Sequence, residues 1–589
     1  MPVALLGTLS LTFFTYGPTQ TVPAVASLRG RPVRSLIGGA TDSTVLGEVA
    51  SLGSDGLISI HPRDRELAKV GTMLDFGGFG TGVIISERCG MYFACSIGNT
   101  ALPQVNSKVM LLSQNLTVPI DPEDSMLAAW GGIHDYMGVP MEGGAVTPNE
   151  RVDVFREPVS AAQRRPIGTS LHTGIVAIEA LAPIGRGQSM MLFGPDDLPA
   201  GSGRTDIALR LLTAQHTLST DVKCILVLTG TSDERASTIR LLRESGALPS
   251  VKVLEAKTSL EGVVAASAAC SIAESCLEHD VLVIVDSLRS HLQLWKEICS
   301  TLTDQGVAVS PEEEGSQQRA YYSRLVERAA RRKDGGSVTL LLLQPSVSVL
   351  PDASSLKEAY TLADFEQSGF SKTVCARIKM LQDKGIALTQ EVLVKVGIPL
   401  PGSDHPAAGA GQRSAQHLEE LTSLVDGHID LRESLAARGR VPPIDPSNSL
   451  TRIGVGSSKL RSLSMTPAMA AVCGPLRLEL ASAADYVHCE EAQARRAAAY
   501  MAVLQQPSTD PLTLGEEVAL LQAASLGALD APVAKFGEAG AIDLLADLLS
   551  YMRLKAAPTL DRISRSGLIA DSAREELAEL AAQFLQDRV

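Results

Sequence analysis

Ser189-Met-Met-Leu-Phe193 predicts a strand, and the next residues, Gly194-Pro-Asp-Asp-Leu-Pro-Ala-Gly-Ser-Gly-Arg-Thr205, predict a glycine-rich loop. The residues that follow the loop predict a helix. The first run is apolar, as in a buried strand, and the second is rich in turn formers. Beyond them, Ile207, Leu211 and Leu212 share one side of a helix. Because the backbone N–H groups at such a helix start attract anions, this order of elements predicts a phosphate-binding loop.

Three further apolar runs follow this loop along the chain. They are Lys223–Leu228, Val281–Val285 and Val338–Leu343, and helical patterns separate them. Continuous apolar strands that alternate with helices are typical of a parallel sheet covered on both faces. The central part of the chain is therefore predicted to be an α/β domain.

The region between about residues 47 and 118 has a different pattern. Short apolar runs such as Gly56–Ile60, Thr81–Ile85 and Val109–Leu112 are broken by glycine. Recurrent turn signals at this spacing predict a small β-barrel or sandwich.

The C-terminal region is rich in alanine and leucine and predicts a helical bundle. Thr513 with Glu516, and Ser572 with Glu575, have the spacing of a capping box at a helix start. The predicted fold is therefore multidomain, with a β-barrel at 45–120, an α/β domain at 121–460 and a bundle at 461–589. A Pro/Gly/Ala-rich run within 351–416 indicates an insertion in the α/β domain.

Composition excludes several classes of protein. The 589 residues are 45% hydrophobic and 20% charged, which excludes a disordered chain. A net charge of −14 makes nucleic acid a poor candidate partner. Nine scattered cysteines without CxxC spacing favour neither a zinc module nor a disulfide framework, and they indicate a reducing compartment.

The first 44 residues are predicted to be an organelle transit peptide. No acidic residue precedes Asp42, and Arg29, Arg31 and Arg34 cluster just before it. A floppy tail is the alternative. No apolar run is as long as a membrane-spanning helix.

Two residues in the α/β domain are candidates to organise Mg²⁺ beside a bound phosphate. Thr205 offers its hydroxyl, and Asp286 ends the strand Val281–Val285. The loop departs from the pattern GxxxxGK[ST], since Arg204 replaces the lysine and the loop is four residues longer. A glycine turn without a ligand is therefore the alternative interpretation.

Several short motifs in fixed order resemble the alpha and beta subunits of F-type ATP synthase. These motifs are Pro183-Ile-Gly-Arg-Gly-Gln188, Tyr322-Ser-Arg-Leu-Val-Glu-Arg-Ala329, Val425-Asp-Gly-His-Ile429, Ser449-Leu-Thr-Arg-Ile-Gly454, Gln505-Gln-Pro507 and Glu516-Glu-Val518. The resemblance implies an N-terminal barrel, a P-loop (RecA-like) nucleotide-binding domain and a C-terminal helical bundle, in agreement with the patterns above.

The resemblance also implies roles for individual residues. Binding of ATP or ADP with Mg²⁺ would involve Gly201, Gly203, Arg204, Thr205 and Asp286, with Pro442 and Gln506 near the base. Arg452 matches the arginine finger that reaches a neighbouring subunit, and an interface salt bridge is its alternative role. Thr231 stands where the catalytic beta subunits have glutamate, so the chain most resembles a non-catalytic alpha subunit; Asp233 and Glu234 are the nearest substitutes.

The function implied is a non-catalytic, alpha-like subunit of a proton-translocating ATP synthase. Its partners would be catalytic beta subunits in an alternating hexamer and the central and peripheral stalks, with no nucleic acid and membrane contact only through the complex. The implied location is the matrix side of the mitochondrial inner membrane, or a plastid. One alternative is a duplicated paralogue that lost nucleotide binding and serves another organelle complex. The other is a ring-shaped RNA translocase, which the acidic charge and the 4% aromatic content disfavour.

Overall fold

The computed structural model describes residues 44–586, apart from 54–55, 65–67, 99–100, 121–129, 142–149, 197, 277, 308–310, 347–377, 383–387, 389–417, 454–463 and 485–490. The predicted transit peptide, except for residue 44, and most of the predicted insertion lie outside these residues. No helix in the described part of the chain is long and apolar enough to cross a membrane.

The N-terminal domain is a closed six-stranded barrel, as predicted from its short apolar runs. Its strands are β1 (Val45–Leu52), β2 (Leu57–Pro62), β3 (Thr72–Asp75), β4 (Thr81–Arg88), β5 (Met91–Ile97) and β6 (Lys108–Asn115). They pair antiparallel in the order β1-β2-β5-β4-β3-β6. Leu46, Ile58, Ile84 and Tyr92 fill the interior, and closure leaves no strand edge unpaired.

The remaining strands belong mainly to the central domain. They are β7 (Thr117–Ile120), β8 (Gly132–Asp135), β9 (Glu150–Asp153), β10 (Arg164–Arg165), β11 (Ser170–Leu171), β12 (Ile184–Gly185), β13 (Ser189–Gly194), β14 (Val222–Leu228), β15 (Val251–Glu255), β16 (Asp280–Val285), β17 (Ala330–Arg332), β18 (Ser337–Pro345), β19 (Gly427–Asp430) and β20 (Leu450–Thr451). The main sheet has ten strands, eight of them in the order β20-β19-β13-β18-β16-β14-β15-β8, and the pairs along this order are parallel except β19 with β20. Strand β17 pairs antiparallel with β18 and with β10.

Both faces of this sheet are buried, which explains the uninterrupted apolar runs. On β13, Met190 and Leu192 pack into one hydrophobic core, whereas Met191 and Phe193 pack into another on the opposite face. Alternate residues of a strand point to opposite faces, so each strand must be apolar throughout. The predicted parallel sheet is confirmed.

Helices cover this sheet and form the C-terminal bundle. They are α1 (Val176–Leu181), α2 (Arg204–Thr217), α3 (Ser232–Glu244), α4 (Ser259–Ser275), α5 (Arg289–Asp304), α6 (Pro311–Val326), α7 (Glu433–Ala436), α8 (Pro467–Ala484), α9 (Glu491–Val503), α10 (Leu514–Ser525), α11 (Asp530–Lys555), α12 (Ala557–Ser566) and α13 (Asp571–Gln586). The bundle shares a continuous hydrophobic core with one face of the sheet.

The two predicted capping boxes in the bundle have different outcomes. Thr513 caps α10, because its backbone N–H donates to Glu516 Oε2 at 2.8 Å and its hydroxyl accepts from the Glu516 N–H. The prediction for Ser572 is wrong. Helix α13 begins one residue earlier, at Asp571, and places Ser572 inside its first turn.

Candidate functional site

The candidate site lies at the carboxyl edge of the parallel sheet. The glycine loop follows β13, Thr229 follows β14 and Asp286 follows β16. The carboxyl ends of parallel strands meet at one edge, where α/β proteins bind their ligands. Gly201 takes a φ of +83°, a left-handed conformation that glycine adopts without strain. Gly203 is extended, and α2 begins directly after it.

The amides of the loop are bound by a carboxylate of the same chain. Asp206 Oδ2 accepts hydrogen bonds from the backbone N–H groups of Gly201 at 2.8 Å and Gly203 at 3.0 Å. Asp206 lies in the first turn of α2, where the helix dipole favours a negative charge. The carboxylate thus occupies N–H groups that were predicted to hold phosphate oxygens.

Arg204 is turned back onto the loop. Its Nη1 donates to the carbonyl oxygens of Gly194 and Pro195, the latter at 2.9 Å, and its Nη2 lies 2.5 Å from Asp196 Oδ1. Arg289 Nη2 lies 2.5 Å from the other oxygen of Asp196. One aspartate therefore pairs with two arginines beside the loop, and the guanidinium of Arg204, which was predicted to meet phosphate, already has partners within the loop.

The two residues predicted to organise Mg²⁺ differ in their surroundings. Asp286 Oδ1 accepts from the Thr229 hydroxyl at 2.6 Å, and its Oδ2 accepts from the Thr229 backbone N–H at 2.9 Å. Burial raises the pKa of Asp286 to about 6, against the opposing effect of these hydrogen bonds. Thr205 is exposed, and its hydroxyl takes part in none of the hydrogen bonds between described residues.

Pro442 and Gln506, predicted near the base of a nucleotide, are close together in the structure. The Gln506 N–H donates to the carbonyl of Val441 at 2.7 Å, and the bond from Val441 to Pro442 is cis. The Gln506 side chain is buried and donates to the carbonyl oxygens of Gly174 and Asp510. The side-chain amide of Gln506 therefore links the segment that contains Gly174 to the segment that contains Asp510.

Helix α2 is tied directly to this region. Arg210 Nη1 donates to the Gln506 carbonyl at 3.1 Å, which links the helix after the loop to the segment before α10. Burial lowers the pKa of Arg210 to about 10. The structure thus brings the loop helix, Gln506 and Pro442 into one region.

Thr231, which follows β14 where a catalytic subunit has glutamate, carries a hydroxyl in place of a carboxylate. Thr231 is the N-cap of α3, and the Glu234 carboxylate accepts from its N–H at 2.7 Å and from its hydroxyl at 3.0 Å. Arg235 donates to the neighbouring Gly230 carbonyl. Glu234, the nearest substitute for a catalytic glutamate, is therefore held in a capping box.

Arg452 lies directly after the edge strand β20, which runs antiparallel to β19, so it lies at the amino edge of the parallel strands, whereas the glycine loop lies at their carboxyl edge. Its Nη1 donates to the carbonyl oxygens of Ser423 at 2.9 Å and Val425 at 3.1 Å, and the side chain is exposed. Gln188 holds the adjacent strand, because its Nε2 donates to Thr451 Oγ1 at 2.7 Å. The guanidinium is thus anchored at one nitrogen and directed outward.

As arranged, the loop does not fit MgATP. Its amides at Gly201 and Gly203 bind Asp206 and its arginine binds Asp196, whereas the hydroxyls of the exposed Thr205 and the buried Ser202 bind no described residue. Sequence reasoning missed the roles of Asp206 and Asp196. The available signal was an acidic residue in the first helical turn and another within the loop, both adverse to a bound phosphate.

Comparisons with known proteins agree with this architecture. Residues 174–352 match the nucleotide-binding domain of the ATP synthase alpha/beta family. The chain is 26% identical over 584 residues to ATP synthase subunit alpha of Dehalococcoides mccartyi, covering 94% of this chain and 97% of that relative. The barrel, parallel sheet and helical bundle follow the alpha-subunit layout. The central domain therefore matches the nucleotide-binding domain of the ATP synthase alpha/beta family, and the chain as a whole is similar to an alpha subunit.

Proposed function

We propose that this chain is a non-catalytic alpha-like subunit that alternates with catalytic beta subunits in the head of an F-type ATP synthase. The observation that carries the proposal is the placement of Arg452, exposed at the sheet edge and anchored through Nη1. No described residue binds its Nε or Nη2, so these donors are available to a neighbouring subunit.

Arg452 would act on a nucleotide held by the beta subunit. A guanidinium beside the transferring phosphoryl group stabilises the charge that develops there, and such fingers accelerate turnover by about a thousandfold or more. The carbonyl oxygens of Ser423 and Val425 restrict its motion and so reduce the entropy lost when it engages.

The surroundings of Thr231 support the non-catalytic role. Its hydroxyl cannot accept a proton at neutral pH as a carboxylate would, and Glu234 is bound to the start of α3. The chemistry would then take place on the partner subunit, while this chain supplies positive charge and part of the interface.

Reconstitution with catalytic beta subunits tests the proposal. Arg452→Ala should lower ATP hydrolysis by about a thousandfold without preventing assembly, and Arg452→Lys should restore only part of the loss because an ammonium lacks the planar fork. Arg438→Ala, which removes another exposed arginine in the turn after α7, is the matched control. Full turnover of the Arg452→Ala assembly would refute the finger role.

A second candidate function is favoured by the occupied loop. A duplicated alpha-like chain that has lost nucleotide binding would serve as a structural subunit of another complex, and the Asp206 and Asp196 contacts agree with such a loss. The two candidates differ in their partner. Copurification with beta subunits supports the first, and copurification with a different assembly supports the second.

A further inference from the structure

We propose that the Asp206 carboxylate takes the place of a nucleotide phosphate in this chain's own loop and keeps the loop free of nucleotide. The inference rests on the proposed function, because it assumes an alpha-like subunit. It deepens that proposal by stating that the loop of this subunit holds its shape with no nucleotide bound. The family would bind MgATP at this position, whereas here the donors are satisfied within the chain.

The first argument is the geometry of the hydrogen bonds. The Gly201 and Gly203 amides converge on one oxygen, Asp206 Oδ2, at 2.8 and 3.0 Å. These are ordinary lengths for charge-assisted bonds. An entering phosphate would have to displace the carboxylate from both amides before it gained the same bonds, so its net gain would be small.

The second argument is charge. Asp196 lies in the loop, Asp206 lies just after it, and Asp286 follows β16 at the same edge of the sheet, where a triphosphate would add several negative charges. Arg204 and Arg289, which both bind Asp196, offset two of the three aspartate charges and leave one negative charge in excess. Phosphate would have to compete with that aspartate for the same guanidinium groups.

The third argument is that the competitor is tethered. Asp206 is three residues from Gly203, in the first turn of α2, so its effective concentration at the amides is high and the helix dipole stabilises it there. A free nucleotide must overcome this advantage at its solution concentration. The structure therefore favours the internal carboxylate over a diffusing ligand.

The test is equilibrium titration of the full-length chain with MgATP, using Asp206→Ser and Asp206→Asn. Serine removes the charge and shortens the side chain, whereas asparagine removes the charge and keeps the shape. The wild-type chain should show no saturable binding at millimolar MgATP, and both variants should bind at least about tenfold more tightly. Asp233→Ser is the matched control, because it removes an exposed acid from the first turn of α3.

Each outcome decides the inference. Tight binding by the wild-type chain would overturn it, and so would an absence of binding in both variants whose circular dichroism shows a folded chain. Comigration of the wild-type chain with beta subunits is measured in parallel. Failure of comigration would count against the alpha-like role, whereas an unchanged affinity in the variants would count only against the carboxylate.

Discussion

Asp206 and Gly201 are joined across the glycine loop by a hydrogen bond of 2.8 Å from the Gly201 backbone N–H to the Asp206 carboxylate. The bond gives the loop a closed arrangement in which its own acid supplies the negative charge that a phosphate would bring. In the same chain, Arg452 is anchored and exposed at the opposite part of the sheet. The amides of the loop are thus bound by Asp206, whereas Arg452 keeps Nε and Nη2 without a described partner.

The coupling between Gln188 and the finger can be tested by activity. Gln188 is buried, its Oε1 accepts from the Gly185 N–H at 2.8 Å, and its Nε2 donates to Thr451. Gln188→Ala should lower the kcat of the reconstituted head by about tenfold to a hundredfold, with a smaller effect on KM, because Arg452 is misplaced.

A double-variant cycle separates positioning from general damage. In the Arg452→Ala background, Gln188→Ala should have little further effect on kcat. Gln305→Ala, which removes a glutamine bonded to Ser51 and Ser59 in the barrel, is the control and should leave kcat unchanged. Additive losses from Gln188→Ala and Arg452→Ala would show that Gln188 does not act through the finger.

Glu234 is expected to act as a helix cap. Glu234→Ala should lower the free energy of unfolding by about 1 kcal/mol, because the Thr231 N–H loses its acceptor. Turnover of the reconstituted head should not change. Urea denaturation and steady-state hydrolysis measure the two effects, and a large fall in turnover at unchanged stability would instead identify Glu234 as a base.

The motif residue Arg328 is expected to stabilise the fold. It pairs with Glu274 through two bonds, Nε to Oε1 at 2.6 Å and Nη2 to Oε2 at 2.8 Å, and both side chains are only 3% exposed. Its Nη1 also donates to the Val154 carbonyl. Arg328→Met should lower the free energy of unfolding by about 3 to 5 kcal/mol, because it leaves the buried Glu274 carboxylate with only the longer contact to Arg156 at 3.7 Å.

The exposed pair of Arg240 and Glu244 provides the control for Arg328. Both side chains are more than half exposed, so Arg240→Met should change the free energy of unfolding by less than about 1 kcal/mol. Urea denaturation of both variants gives the comparison. Equal effects would show that the pairing of Arg328 and Glu274 contributes nothing beyond a surface ion pair.

His172 makes stability depend on pH. Its Nε2 lies 3.0 Å from Oε2 of the fully buried Glu517 in α10. Burial lowers the pKa of His172, but the Glu517 carboxylate more than offsets this and raises it from 6.5 to about 9. The folded chain therefore keeps a proton that the unfolded chain releases, and this stabilisation is complete below pH 6.5 and lost as pH rises through about 9.

Urea denaturation across this pH range measures the contribution. The free energy of unfolding should fall by up to about 3 kcal/mol as pH rises. Burial also raises the pKa of Glu517, to about 7, so the double variant His172→Gln, Glu517→Gln should flatten the dependence. An unchanged pH dependence in this double variant would show that another group is responsible.

The sequence was sufficient to predict the barrel, the parallel sheet and the bundle, because each has a strong periodic signal. The apolar runs Lys223–Leu228 and Val338–Leu343 correspond closely to β14 and β18. Short strands such as β19 and β20 were not predicted as strands, since two to four residues carry too little pattern. The Ser572 cap was wrong because spacing alone does not fix where a helix begins.

The site was predicted in its location but not in its internal contacts. Thr205 and Asp286 lie at the same edge of the sheet, as their positions after strands implied. The direction of the Asp206 carboxylate depends on the path of the loop from Pro195 to Gly203, which residue type alone does not determine. A side-chain contact of this kind requires the structure, even when the acid is visible in the sequence.

The most direct test of the account is native-gel fractionation of a cell extract, followed by quantification of this chain and the catalytic beta subunit in each large assembly. The account predicts that the two comigrate at comparable abundance. Migration of this chain alone, or in an assembly without beta subunits, would contradict the alpha-like role and remove the basis for assigning a finger to Arg452.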